Sequence, residues 1–169
     1  IENEKQVKFD IVVNIQGDLP MVFPDMVDEL ITPIIQDEHI LTTTMVDEVK
    51  TLEEFLDPNR VKVVIDLNNN AILVTREPVP SRHKFDGDYK KYKHVAIRAY
   101  ERNLFSEIEK LPMSPMEKIE GIDDLRLIEN GIKIQVVFTE NITETVDTQD
   151  DLNKVIDMMK TDELMKKYI

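Results

Sequence analysis

Two rhythms of apolar positions divide the chain: β-branched runs of strand length, and stripes that recur every three or four residues. The first run, 9–15, has the composition of a strand buried on both faces and stops at the polar turn Gln16-Gly17-Asp18, which puts Asp18 at the strand's carboxyl end. Beyond Pro20, Pro24 suits the first position of a helix in which Met26, Val27, Leu30, Ile31 and Ile34 share one face; Pro33 is expected to kink or end it. Residues 40–46 read as a strand, 51–56 as a short acidic helix, and Asp57-Pro58-Asn59 as a turn.

The hairpin at 61–75 is the clearest local signal, because its arms, 61–67 and 71–75, flank Asn68-Asn69-Asn70, a residue type that tolerates positive φ. Its second arm delivers Arg76. Residues 78–93 mix Pro, Gly, Asp and Lys without period and read as a long loop, followed by a strand over 93–100. Ser114-Pro-Met-Glu117 is a capping box with Pro at the first helical position, and Asn130-Gly131 closes the helix it opens. A strand over 133–139 follows. Thr148-Gln-Asp-Asp151 then caps a helix whose Leu152, Val155, Ile156 and Met159 form one stripe, with an exposed charged tail after Lys160. Strands alternating with helices predict an α/β fold, and the hairpin makes its helix-flanked sheet mixed.

Composition narrows the function classes. A chain of 169 residues with 41% apolar content fits one domain with no internal boundary. Its formal charge of −13 argues against nucleic acid or an anionic membrane as a partner, and no apolar run approaches the roughly 20 residues of a membrane helix. The absence of cysteine excludes disulfides, thiolate–zinc sites and cysteine nucleophiles, and is compatible with a cytoplasmic location. The start at Ile1 suggests a chain that begins inside a larger protein.

The candidate chemistry is a pair of carboxylates, Asp18 and Asp147, each at the place where a strand-like segment gives way to a turn or helix. Brought together they could bind Mg²⁺, a hard ion that takes one or two carboxylates plus substrate phosphates. A turn Asp and a polar residue before a helix cap would look the same. Arg82-His83-Lys84 could touch phosphate or form a solvated loop, and Asn141-Ile-Thr143 is a glycosylation pattern without a secretory context.

Val13-Asn-Ile-Gln-Gly-Asp-Leu-Pro20 resembles the VNVQGDxP segment of the CMP-Kdo synthetases, the 3-deoxy-manno-octulosonate cytidylyltransferases. The resemblance continues in order through Asp57-Pro-Asn-Arg-Val-Lys-Val-Val64; Thr75-Arg76 with Val79-Pro80, similar to SRxxIP; Lys93-His94; Ser114-Pro-Met-Glu117; Ile119-Glu120; Leu125-Arg126; Glu129-Asn-Gly131; and Val146-Asp-Thr-Gln-Asp-Asp-Leu152. It implies a Rossmann-like fold of the nucleotide-diphospho-sugar transferase type and transfer of CMP from CTP to a Kdo-like 3-deoxy sugar acid for lipopolysaccharide synthesis. It further implies Mg²⁺ held by catalytic Asp18 and Asp147, a sugar-acid pocket lined by Gln16, Arg76, His94 and Glu120, and a homodimer.

The chain departs from the family in two respects. The family opens with a strand and a basic loop resembling PARxxSxRxxxK around the nucleotide, and nothing in residues 1–9 matches it; the expectation is a chain lacking the N-terminal nucleotide-binding unit and inactive alone. Within the pocket, Arg98 stands where HxGxYGY has its first Tyr, and Asp124 where EQLR has Gln. These opposite charges could pair with each other or recognise another sugar acid, such as an amino-substituted one near Asp124 or a sialic-acid-like one. A non-catalytic binding or dimerisation module is the rival from another class.

Overall fold

The computed structural model describes residues 2–5, 7–81, 83–85, 87, 89–141 and 143–164. Arg82 of the basic triplet, Ile142 of the glycosylation pattern and the last five residues of the charged tail lie outside them.

Among the described residues a mixed six-stranded sheet carries helices on both faces. Its long central strand is β5 (Tyr92–Glu101). One edge of β5 takes β2 (Thr42–Glu48), antiparallel; the other takes β3 (Lys62–Ile65) near the start of β5 and β1 (Ile11–Ile15) near its end. β4 (Ala71–Thr75) completes the hairpin with β3, and β6 (Gln135–Phe138) runs parallel to β2. Asn69 turns the hairpin at φ 60°, as the triple Asn predicts. No helix among the described residues is long and apolar enough to cross a membrane.

The alternation of side chains along β5 divides the core in two. Val95, Ile97 and Ala99 face α2 (Pro24–Gln36) and pack with Met26, Leu30 and Ile34. Tyr100 faces the other side, where α5 (Pro115–Glu120) and α6 (Asp124–Glu129) bring Ile122, Leu125 and Leu127 against Val46, Val63 and Val74. Each such side chain contributes about 1.5–3 kcal/mol of burial, so the sheet is clamped from both faces.

Two local expectations are corrected, one is narrowed and one helix is added. β1 is half-exposed rather than buried on both faces, because it pairs only with β5 and lies at a sheet margin. Pro33 does not end α2: the helix continues to Gln36, the Asp37 amide donates to the Pro33 carbonyl, and the Thr32 hydroxyl donates to the Asp28 carbonyl. The helix expected over 114–130 is two helices, since Gly121 at φ 67° caps α5 in a left-handed conformation and turns the chain into α6. A helix with no sequence expectation, α4 (Arg102–Ile108), is capped by the Glu101 carboxylate, which accepts from the Asn103 and Leu104 amides. The short α1 (Glu2–Lys5) is tied to it by the Glu2–Arg102 ion pair. α3 (Leu52–Leu56) starts at Thr51 as expected, and α7 (Gln149–Met159) starts at Thr148, but of the α7 stripe only Val155 is deeply buried.

Candidate active site

Beyond β1 the chain turns through Gln16–Leu19, closed by the Leu19 amide donating to the Gln16 carbonyl and anchored by the buried Leu19 side chain. That turn leaves Gln16 and Asp18 exposed. The Val146 amide donates to the Asp18 carbonyl at 2.9 Å, so the residue preceding Asp147 is bonded to Asp18 itself. Thr148 then starts α7 through a reciprocal capping box with Asp151, which sets where Asp147 leaves the coil. Two exposed carboxylates on adjoining segments result. Among the described residues no cluster of three His, Cys, Asp or Glu side chains could enclose a metal.

A second group gathers where β4 ends. Thr75 Oγ1 donates to one Glu120 carboxylate oxygen at 2.7 Å, and the Arg76 amide to the other at 3.0 Å. The Arg76 guanidinium bonds the Glu120 carbonyl through Nε and the Pro58 carbonyl through Nη1. Arg76 and Glu120, expected in one pocket, are therefore in direct contact.

A third group lies under α6. A bulge in the β2–β5 pairing sets Thr44 opposite Arg98 and resumes at Met45 opposite Val95, which lets Thr44 Oγ1 reach His94 Nε2 at 2.7 Å. His94 Nε2 is 3.3 Å from Asp124 Oδ2; Arg98 Nε is 2.8 Å from Asp124 Oδ1 and its Nη1 2.6 Å from Asp123 Oδ1. Of the two readings of the charged replacements, mutual pairing is the one observed. The fit is imperfect, because Arg98 Nε and Nη1 and both Asp124 oxygens lie at ion-pair distance without an aligned hydrogen bond.

Burial, reinforced by the Arg98 cation, drives the His94 pKa down to about 3, so the ring is neutral at pH 7. Burial also pushes Asp124 up to about 6, with Arg98 opposing. Burial works against the Arg98 charge, but Asp124 and Asp123 outweigh it and its pKa is raised.

The sign for stability follows by linkage. An unfolded His94 binds a proton near pH 6.5 that the folded ring refuses down to about pH 3, so its contribution is present at neutral pH and lost as pH falls through that window. Asp124, with its folded pKa raised, partly offsets the loss between about pH 6 and 4. Urea unfolding of His94→Gln from pH 7 to 4 is expected to show a stability curve shallower than the parent's by up to about 1.4 kcal/mol per pH unit, the limit for one proton. Parallel curves would mean that His94 carries its proton in the fold.

The three groups are linked by one strand pairing and one short stretch of chain. Asn14 pairs with Arg98 two residues before Gln16, and only Gly121 and Ile122 separate Glu120 from Asp123. Thr44 and Asp123 carry no expected role in the sequence, and Thr75 appears there only within a motif; for Thr44 the run Thr42-Thr43-Thr44 in an apolar strand was the available signal. A separate cavity of about 840 Å³, walled by Met21, Phe23, Glu140 and Met158 among others, contains none of the expected site residues.

A family model described as Cytidylyltransferase matches residues 2–134. The chain belongs to that family. A 3-deoxy-manno-octulosonate cytidylyltransferase of Geobacter sulfurreducens is 36% identical over 169 residues, covering 94% of this chain and 68% of the relative. A solved CMP-2-keto-3-deoxy-manno-octonic acid synthetase complexed with CTP superposes with a TM-score of 0.83 at 32% identity, over 94% of this chain and 65% of that one. The inositol-1-phosphate CTP transferase from T. maritima shares the fold, with a TM-score of 0.55 at 16% identity over 94% of this chain and 58% of that one. The chain thus spans about two thirds of the length of the relatives it matches and shares the fold of the solved cytidylyltransferases.

Proposed function

We propose that the protein transfers CMP from CTP to the anomeric hydroxyl of a Kdo-like 3-deoxy sugar acid, releasing pyrophosphate. The observation that carries this reading is the hydrogen bond from the Val146 amide to the Asp18 carbonyl, which joins the two acidic segments that the relatives' motifs single out. Two exposed carboxylates, with no cluster of three His, Cys, Asp or Glu among the described residues, suit Mg²⁺, which takes one or two carboxylates and keeps positions for phosphate and water. When bound, Mg²⁺ supplies charge neutralisation at the α-phosphate and a more acidic sugar hydroxyl.

The chain's own residues orient the acceptor. With Arg76 Nε and one hydrogen of Nη1 held by carbonyls, Nη2 and the remaining Nη1 hydrogen are left to grip a carboxylate as a fork. Glu120, held by Thr75 and the Arg76 amide, fixes that guanidinium, and Gln16 can bond sugar hydroxyls beside Asp18. His94, neutral and bonded to Thr44, supports the pocket wall from beneath. A homodimer and a place in cytoplasmic precursor synthesis for lipopolysaccharide belong to the same proposal.

A second reading, another sugar acid, rests on the two charged replacements of the family's Tyr and Gln, although Arg98 and Asp124 are buried and pair with each other. One assay decides both: pyrophosphate release by the native protein with CTP, Mg²⁺ and a panel of Kdo, amino-substituted Kdo and sialic acid. Turnover fastest with Kdo is the expected result. A preference for another acid transfers the proposal to it, and no turnover with any acid, together with no Mg²⁺-dependent CTP binding by calorimetry, supports a non-catalytic module instead.

A further inference from the structure

Among the described residues no helix or strand lies between Thr139 and Asp147, yet this segment is anchored to the rest of the fold. Glu144 is the reason. Its side chain is only 7% exposed and lies between two cations: Arg60 Nη2 donates to Oε2 at 2.7 Å, and Lys154 of α7 pairs with Oε1. Arg60 comes from the turn between α3 and β3, the same turn whose Pro58 carbonyl holds Arg76, and it also approaches Asp151 of the α7 capping box at 3.7 Å. A nearly buried carboxylate held from both sides has one low-energy position, because displacing it strands a charge away from water. Two residues later Val146 bonds Asp18, and the next residue is Asp147.

The geometry points to Arg60 and Glu144 as positioning residues for the metal site: their ion pair braces the coil against the Asp57–Arg60 turn and so sets the approach of Asp147 to Asp18. The inference rests on the metal reading above and adds to it, since neither residue would touch metal or substrate. One turn would then hold both halves of the site, the Arg76 side through a carbonyl and the Asp147 side through a guanidinium.

Binding of Mn²⁺ to the native protein, followed by the electron paramagnetic resonance of the free ion, tests this without relying on turnover. Arg60→Met and Glu144→Gln are each expected to weaken Mn²⁺ binding by about tenfold, the lower range for supports of metal ligands, and Arg60→Lys to recover most of it. Two chemically different variants guard against one simply misfolding, and circular dichroism checks each. If Asp147→Asn abolishes binding while Arg60→Met and Glu144→Gln keep parental affinity, the brace is overturned and the metal reading stands. If Asp147→Asn itself retains parental affinity, the metal reading falls and the brace with it.

Discussion

Asp18→Asn and Asp147→Asn, made separately in the native protein, are each expected to reduce pyrophosphate release from CTP by roughly 100-fold or more, comparable to removing a principal electrostatic stabiliser of a transition state. Both carboxylates are exposed, so neither change should lower stability by more than a few tenths of a kcal/mol, about what a surface substitution costs. The double variant should be little worse than either single, because two ligands of one ion fail together rather than additively. Asp28→Asn, another exposed carboxylate on α2, is the control and should change nothing. Steady-state rates at saturating CTP and sugar acid, with Mg²⁺ varied, check the result. Near-parental rates in either single variant would remove the two carboxylates from the chemistry.

What the sequence revealed and what it hid divide along physical lines. Features fixed by a few neighbouring residues were legible: the Asn69 turn, the Ser114 and Thr148 capping boxes, and the start of α2 at Pro24. Features fixed by tertiary placement were not. The β-branched composition of β1 suits a central strand equally well, and only the sheet order shows it at a margin. Gly121 ends α5 because the chain must turn to bring Ile122 and Leu125 onto the sheet, whereas apolar spacing alone runs through it. α4 was legible in principle, since Leu104, Phe105 and Ile108 follow helical spacing behind a capping Glu101.

The site followed the same rule. Asp18 and Asp147 were candidates by their places at element ends, but the contact between their segments rests on one backbone hydrogen bond, from Val146 to Asp18, which no local pattern encodes. Arg76 and Glu120 were expected in one pocket, yet their direct contact with each other and with the Pro58 carbonyl appears only in the fold. Arg60, quoted only within a motif, and Glu144 were given no role, because an Arg after a turn and a Glu in a coil are ordinary surface residues until burial sets them against each other.

The Arg98–Asp124 pair carries the largest expected effect on stability. Asp124 has a fully buried side chain and Arg98 is 5% exposed, so neither charge has water to fall back on. Arg98→Tyr leaves the Asp124 carboxylate beside a neutral His94 with no cation, and Asp124→Gln leaves Arg98 with only the half-exposed Asp123. Each is expected to cost about 3–5 kcal/mol, the usual result of stranding one member of a buried pair. The double variant restores the family's Tyr and Gln together and should return to within about 1 kcal/mol of the parent, since a buried pair is often matched or bettered by neutral residues of similar volume. The four polar atoms that lack aligned hydrogen bonds favour that recovery, because the present pair does not gain all that its chemistry allows. Urea unfolding of the four proteins as a double-mutant cycle measures the coupling directly. Single-variant losses that simply add in the double variant would show that Arg98 and Asp124 contribute independently, whereas a large coupling would show that they stabilise the fold as a pair.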